Sequence, residues 1–189
     1  MWRMEQPEPQ PSEGIRERFP AMYASLRQIA GRMMRDQQAR SLAPTELVAE
    51  AFMKLSSEED RRAREARSML GAKPDVAFKA CFGAACRDVL VDRVRKRVAL
   101  KRGGGQADAE LHSQIMMPDQ GEVDAAAVGE LLGEMKELDE QLAQLVEARV
   151  FGDLSVPECA ELLGVSPRTV DRRWAFALKW LKERLGGDA

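Results

Sequence analysis

The chain has 189 residues, a net charge of -2, and 44% hydrophobic against 32% charged residues, a size that fits one ordinary domain or two small ones. One Tyr and six Phe against abundant Ala, Leu, Glu and Arg favour helices over strands. No run of about 18 apolar residues exists to span a bilayer, and the polar, proline-rich start lacks the basic-then-apolar order of a leader, so no membrane insertion and a cytoplasmic location are expected.

Residues 1–14 carry Pro7, Pro9 and Pro11 with few apolar anchors, which predicts a disordered tail. Ile15, Phe19, Met22, Leu26, Ile29 and Met33 then recur at intervals of three or four, the mark of one buried helix face. Pro20 fits that helix only near its first turn. Pro44 can open a second helix, with Leu47, Ala51 and Leu55 on one side and Glu46, Glu50 and Lys54 along the exposed flank. Residues 57–67, SEEDRRAREAR, have no apolar stripe and read as an exposed helix or a mobile connection.

Pro74 and Asp75 open a third helix with Phe78, Phe82, Ala85 and Val89 as its spine, which runs into a basic stretch and stops at Gly103, Gly104 and Gly105. Residues 103–124 have no sustained period and read as a flexible linker and domain boundary. Periodicity resumes with Val128, Leu131, Leu132, Met135 and Leu138, then Leu142, Leu145 and Val150 after a helix cap at Asp139. No alternating strand pattern and no internal repeat is apparent. The expected fold is all-α, with a tail at 1–14, a helical domain at 15–102, a linker at 103–124 and a second helical domain at 125–189.

Charge is segregated along the chain. Arg87, Arg93, Arg95, Lys96, Arg97, Lys101 and Arg102 outnumber Asp88 and Asp92 in one segment, and between 105 and 140 many acids face Lys136 alone. From 166 to 185 basic residues again dominate, with Asp171 and Glu183 opposing them. A net charge of -2 therefore conceals two basic segments around an acidic one. Their complementarity predicts that the acidic linker meets the basic segment 166–185 in a compact resting form.

Ser155 begins a capping box, Ser-Val-Pro-Glu, so a short helix follows. It ends at Leu163 with Gly164 in the turn, and Ser166 with Pro167 restarts a helix. Ala160, Gly164 and Val170 supply the small residue, the flexible turn and the apolar plug of a helix-turn-helix corner. Val170, Trp174, Ala177 and Leu181 form the buried side of the second helix, leaving Arg168, Arg172 and Lys179 opposite, with Thr169 and Arg173 alongside. That face suits a major groove, where an arginine on a guanine edge is worth about 1 to 3 kcal/mol of discrimination. Asp171 could accept from a cytosine amino group.

Catalysis finds no support. The single histidine, His112, falls in the linker, and Gly103 to Gly105 follow a helix instead of preceding one. Cys81, Cys86 and Cys159 sit among apolar residues and are expected as reduced, packed thiols, and no metal or cofactor is expected.

Three stretches together resemble the extracytoplasmic-function sigma factors: LAPTELVAEAFMKL at 42–55, FKACFGAACRDVLVDRVRKRVALKRGGG at 78–105, and LSVPECAELLGVSPRTVDRRWAFALKWLKERL at 154–185. The resemblance covers 15–102 and 125–185. It implies a non-enzymatic RNA polymerase subunit for transcription initiation, with core RNA polymerase and promoter DNA as partners. Glu46, Leu47, Glu50, Ala51 and Phe52 would dock on the clamp coiled coil of the largest subunit, and the second domain on the flap of the second largest. Arg87, Arg93, Arg95, Lys96 and Arg97 would lie along the minus-ten element, and the helix from Pro167 would read the minus-thirty-five element. Bases of the opened strand would enter a loop near 57–75, which lacks aromatic residues for stacking. Such a protein melts DNA by binding the separated strand better than the duplex.

Members typically carry several acids where this chain has Ala43, Pro44 and Thr45, so its polymerase-binding helix starts with less negative charge. Phosphorylation of Thr45 by a Ser/Thr kinase would add about -1.5 to -2 charges beside a helix N-terminus. Control by an anti-sigma factor is the other option. Apart from the resemblance, the residues also fit a helix-turn-helix regulator acting on duplex DNA without polymerase, or a helical adaptor that binds only proteins.

Overall fold

The computed structural model describes residues 15–33, 42–57, 73–102, 114–117 and 121–185, and of 15–18, 57, 94, 97–102, 114–117 and 121–126 the backbone alone. Seven helices are present among them: α1 Ile15–Met33, α2 Pro44–Ser57, α3 Pro74–Arg102, α4 Ala125–Leu138, α5 Glu140–Val150, α6 Val156–Leu163 and α7 Pro167–Leu185. The expected tail at 1–14, His112, and most of the 57–75 loop lie outside the described residues.

The proline signals set two of the starts. Pro44 and Pro74 each take the first helical position, where no backbone N–H is required. Glu46 closes the start of α2, its carboxylate accepting the Ala43 N–H at 2.7 Å. Pro20 differs from expectation, because α1 already begins at Ile15 and the proline sits in its second turn. It is exposed, so the ring does not intrude on the core, and α1 continues past it with one backbone hydrogen bond fewer.

The segment expected as a linker without strands contains a short hairpin. Gln114–Met117 and Gly121–Asp124 pair as an antiparallel hairpin, β1 and β2, with Ile115 opposite Val123. β1 runs beside α1 and α5, and β2 leads directly into α4. Strands of four residues are too short for alternation to stand out from the surrounding turn residues. The rest of that segment, 103–113 and 118–120, lies outside the described residues.

The long α3, about 43 Å at 1.5 Å per residue, organises the molecule. Its first half is apolar over most of its circumference: Val76, Phe78, Ala80, Phe82, Ala85, Cys86, Val89 and Leu90 are all buried. A helix of that kind must be covered on most sides. It packs against α2 and α1 on one flank and against α4, α5 and α6 on the other. One apolar core therefore runs through both halves of the chain, from Leu26, Leu47 and Leu55 through Phe82 to Leu145, Phe151 and Leu181.

The closest approach is at Gly83, where an added Cβ would lie 2.5 Å from the Gly152 nitrogen and 2.6 Å from the Phe151 carbonyl carbon. Only a residue without a Cβ lets α3 sit this near the end of α5. Ion pairs ring the contact: Lys79 to Glu158 at 3.0 Å, Lys73 to Glu161 at 3.6 Å, Arg32 with Asp153, and Arg87 with Glu147. The halves thus meet through α3 and α5–α6, while residues 103–113 and 118–120 of the linker expected against the basic face of 166–185 lie outside the described residues. Burial of the second apolar flank of α3 carries this contact, since a solvent-exposed ion pair at its rim is worth only about 0 to 1 kcal/mol.

Candidate nucleic-acid interface

The α6–α7 corner is built as its residue types require. Ser155 caps α6, its hydroxyl oxygen accepting from the Glu158 N–H while the Glu158 carboxylate accepts the Ser155 N–H at 2.8 Å. Gly164 adopts φ 64 and ψ 33, the left-handed turn that favours glycine, and the Val165 N–H donates to the Ala160 carbonyl at 3.0 Å. Ala160 and Val170 are buried at the crossing. Ser166 caps α7, its hydroxyl oxygen accepting the Thr169 N–H at 3.2 Å.

The apolar stripe of α7 is Val170, Trp174, Ala177, Trp180 and Leu181, all buried. Two guanidinium groups reinforce it: Arg149 lies 4.8 Å from the Trp174 ring centroid, and Arg184 lies 3.7 Å from that of Trp180. Opposite this stripe Arg168, Asp171, Arg172 and Lys179 are exposed. Thr169 is half-buried with its hydroxyl 2.9 Å from that of Ser166, so it serves the cap. Arg173 turns toward the protein and donates to the Gln141 side-chain oxygen at 2.7 Å. The outward basic set is therefore narrower than the sequence pattern, and it gains Phe176, which that pattern passed over and which is 59% exposed on the same side.

The basic end of α3 divides in the same way. Arg95 and Lys96 are exposed, and the side chain of Arg97 lies outside the described residues. Arg93 is paired with Glu50 of α2. Arg87 is held by Asp88 at 2.6 Å and by Glu147 of α5, with Arg87 and Glu147 each 23% exposed. These last two arginines are engaged within the protein in this arrangement. Arg87 borders a cleft of about 660 Å³ between α3 and α4–α5, whose walls also carry Lys54, Asp88, Asp92, Arg95 and Lys136.

On α2, Leu47 and Ala51 are fully buried in the core, so neither presents a surface here. Glu46 is exposed, and Glu50 and Phe52 are half-buried. Phe52 stacks on Phe19 of α1, with ring centroids 4.0 Å apart, and beside it Met53 is 70% exposed. Thr45 is exposed in the first turn of the helix.

None of the three cysteines is in a disulfide. Burial pushes the Cys159 thiol up to about 12 and raises that of Cys86 further. Burial also raises Asp153, against the pull of Arg32. Among the described residues no group of three His, Cys, Asp or Glu is placed to hold a metal ion, and no helix is long and apolar enough to cross a membrane.

A model of the family described as ECF sigma factor matches residues 12–187. Searches of curated proteins and of solved structures found no match.

Proposed function

The chain belongs to the ECF sigma factor family, whose members are DNA-binding subunits of RNA polymerase in transcription initiation, and from that premise we propose how its surfaces divide the task. The α7 row of Arg168, Arg172 and Lys179, with Thr169 and Arg173 at its edge, reads the minus-thirty-five duplex. Arg95, Lys96 and Arg97 of α3, joined by Arg93 and Arg87, follow the strands at the minus-ten element. Through Glu46, Glu50, Phe52 and Met53, α2 docks on the clamp coiled coil of the largest polymerase subunit, while Leu47 and Ala51 fix the helix from behind. The α4–α7 module engages the flap of the second-largest subunit. Residues 15–102 and 125–189 act as separate domains in this reading.

The observation that carries this reading is the solvent-facing basic row on a capped, core-anchored recognition helix. Two promoter elements about 25 base pairs apart are separated by roughly 85 Å of duplex at about 3.4 Å per pair. The α3 contact with α5 and α6 must therefore open for both modules to reach their elements, and opening frees Arg87 from Glu147. No covalent chemistry is involved. Binding energy of the separated strand and of phosphates does the melting.

Control is exerted at α2. Thr45 is exposed where the helix dipole favours negative charge, and its phosphorylation by a Ser/Thr kinase strengthens the polymerase contact. An anti-sigma factor that holds the closed form is the alternative regulator. The test is transcription from a mixed promoter library by purified core polymerase, with the wild type, Thr45→Ala and Thr45→Asp. A discrete transcript set that requires the chain, with Thr45→Asp the strongest, supports the proposal. Duplex binding with no polymerase-dependent transcript in any variant would leave a regulator that acts alone.

A further inference from the structure

The solvent-facing row of α7 is not wholly charged. Arg168, Arg172, Phe176 and Lys179 follow one another at intervals of four, four and three, which stacks them along one line of the helix. Phe176 is 59% exposed, whereas the other aromatic residues of the helix, Trp174 and Trp180, are 6% and 9% exposed. The ring plays no part in anchoring the helix, because Val170, Trp174, Ala177 and Leu181 form a complete buried stripe without it.

A phenyl ring held largely in water buries little apolar surface in the free protein. It gains against a surface that is anionic overall and apolar at one point. The DNA major groove is such a surface: phosphates line its edges, and the one apolar group the bases present is the C5 methyl of thymine. Arg172 lies one turn before the ring and Lys179 one turn after it, so a helix seated by its cations brings the ring to the bases.

We propose that Phe176 is a specificity-determining residue that packs on a thymine methyl in the upstream promoter element. The proposal rests on α7 being the duplex-reading helix. Four residues of helix advance about 6 Å, close to two base-pair steps of about 3.4 Å, so the thymine lies within about two base pairs of the base read by Arg172. The chain thus selects thymine by shape and methyl contact beside a base selected by hydrogen bonds. A protein surface as the ring's partner gives no reason for its alignment with Arg168 and Arg172, and the test separates that case.

Duplexes are selected from a randomised library by the full chain with core RNA polymerase, then resynthesised with deoxyuridine replacing each thymidine in turn. This exchange deletes the methyl and leaves every hydrogen-bonding group in place. At one position deoxyuridine is expected to weaken wild-type binding about fourfold, the ratio that corresponds to one buried methyl. Phe176→Ala, with an unchanged melting temperature because the ring is exposed, is expected to bind the two duplexes equally. An unchanged thymidine-to-deoxyuridine ratio in Phe176→Ala, or no methyl-sensitive position, overturns the proposal, as does loss of polymerase binding by Phe176→Ala in the absence of DNA. In those cases Arg172→Ala still loses sequence preference, and the reading of α7 stands. If no duplex is enriched, or Arg172→Ala keeps its preference, that reading falls and the role of Phe176 falls with it.

Discussion

Replacing a glycine by alanine in a helix should have opposite signs at two positions of this protein. Removing glycine from a helix interior stabilises by about 0.5 to 1 kcal/mol through backbone entropy. At Gly133 in α4 a new Cβ meets nothing within 4 Å, so Gly133→Ala should gain that amount in full. At Gly83 in α3 the same carbon would lie 2.5 Å from the Gly152 nitrogen, 2.6 Å from the Phe151 carbonyl carbon and 2.7 Å from the Gly152 Cα. All three are backbone atoms and cannot rotate away. Overpacking of that kind costs about 1 to 3 kcal/mol, so the two variants should differ by about that much, the helix-propensity gain cancelling between them. For a chain of this size each kcal/mol moves the melting temperature by about 2 to 4 °C. Thermal melts followed by circular dichroism measure the difference, and small-angle scattering shows whether Gly83→Ala relieves the clash by opening the α3–α5 contact. A Gly83→Ala protein that is as stable as Gly133→Ala and equally compact would refute the packing of α3 against the end of α5.

Arg172→Ala should cost about 1 to 3 kcal/mol at a single base pair, whereas Lys179→Ala should weaken all sequences alike and reduce the salt slope of binding by about one, both read by fluorescence titration over a salt series. Acid stability should depend on Glu158. Burial opposes its charge, but the Ser155 hydroxyl and N–H and the Lys79 ammonium outweigh that and hold its carboxyl below the ordinary 4.5. A depressed carboxyl stabilises above its unfolded value and loses that contribution as pH falls through the folded one, so Glu158→Gln should be destabilised at pH 7 and change less than wild type below pH about 4.5. In the native protein at pH 8, Cys86 and Cys159 should resist alkylation, since burial keeps both thiols protonated, and should react only on unfolding. Labelling of Cys86 in the native state faster than the chain unfolds would contradict that burial.

Local signals carried most of what the sequence revealed. The Ser155–Glu158 capping box, the left-handed Gly164, the Asp139 cap accepting from the Leu142 N–H at 3.0 Å and the Phe78–Phe82–Ala85–Val89 spine all depend on neighbours within a few residues. The Gly83–Gly152 approach could not be read that way, because its partners are far apart in the chain and both glycines look like ordinary helix or turn residues. Charge patterning found the basic segments, yet the inward turn of Arg173 to Gln141 and the pairings of Arg87 and Arg93 depend on tertiary packing. Phe176 was within reach, since it lies one turn after Arg172 on the same line. A search for charged residues on that face passes over it.

The proposed division of labour puts α7 on duplex upstream bases and the end of α3 at the melted element, on one promoter and within one polymerase complex. Photo-crosslinking residues substituted at Lys179 and at Lys96 test it directly on a promoter bound by core polymerase and the full chain. The expected result is two crosslinks on the same DNA about 25 base pairs apart, the Lys96 one strengthening as the strands separate. Crosslinks that fall within one helical turn of each other, or that form equally well without polymerase, would contradict it.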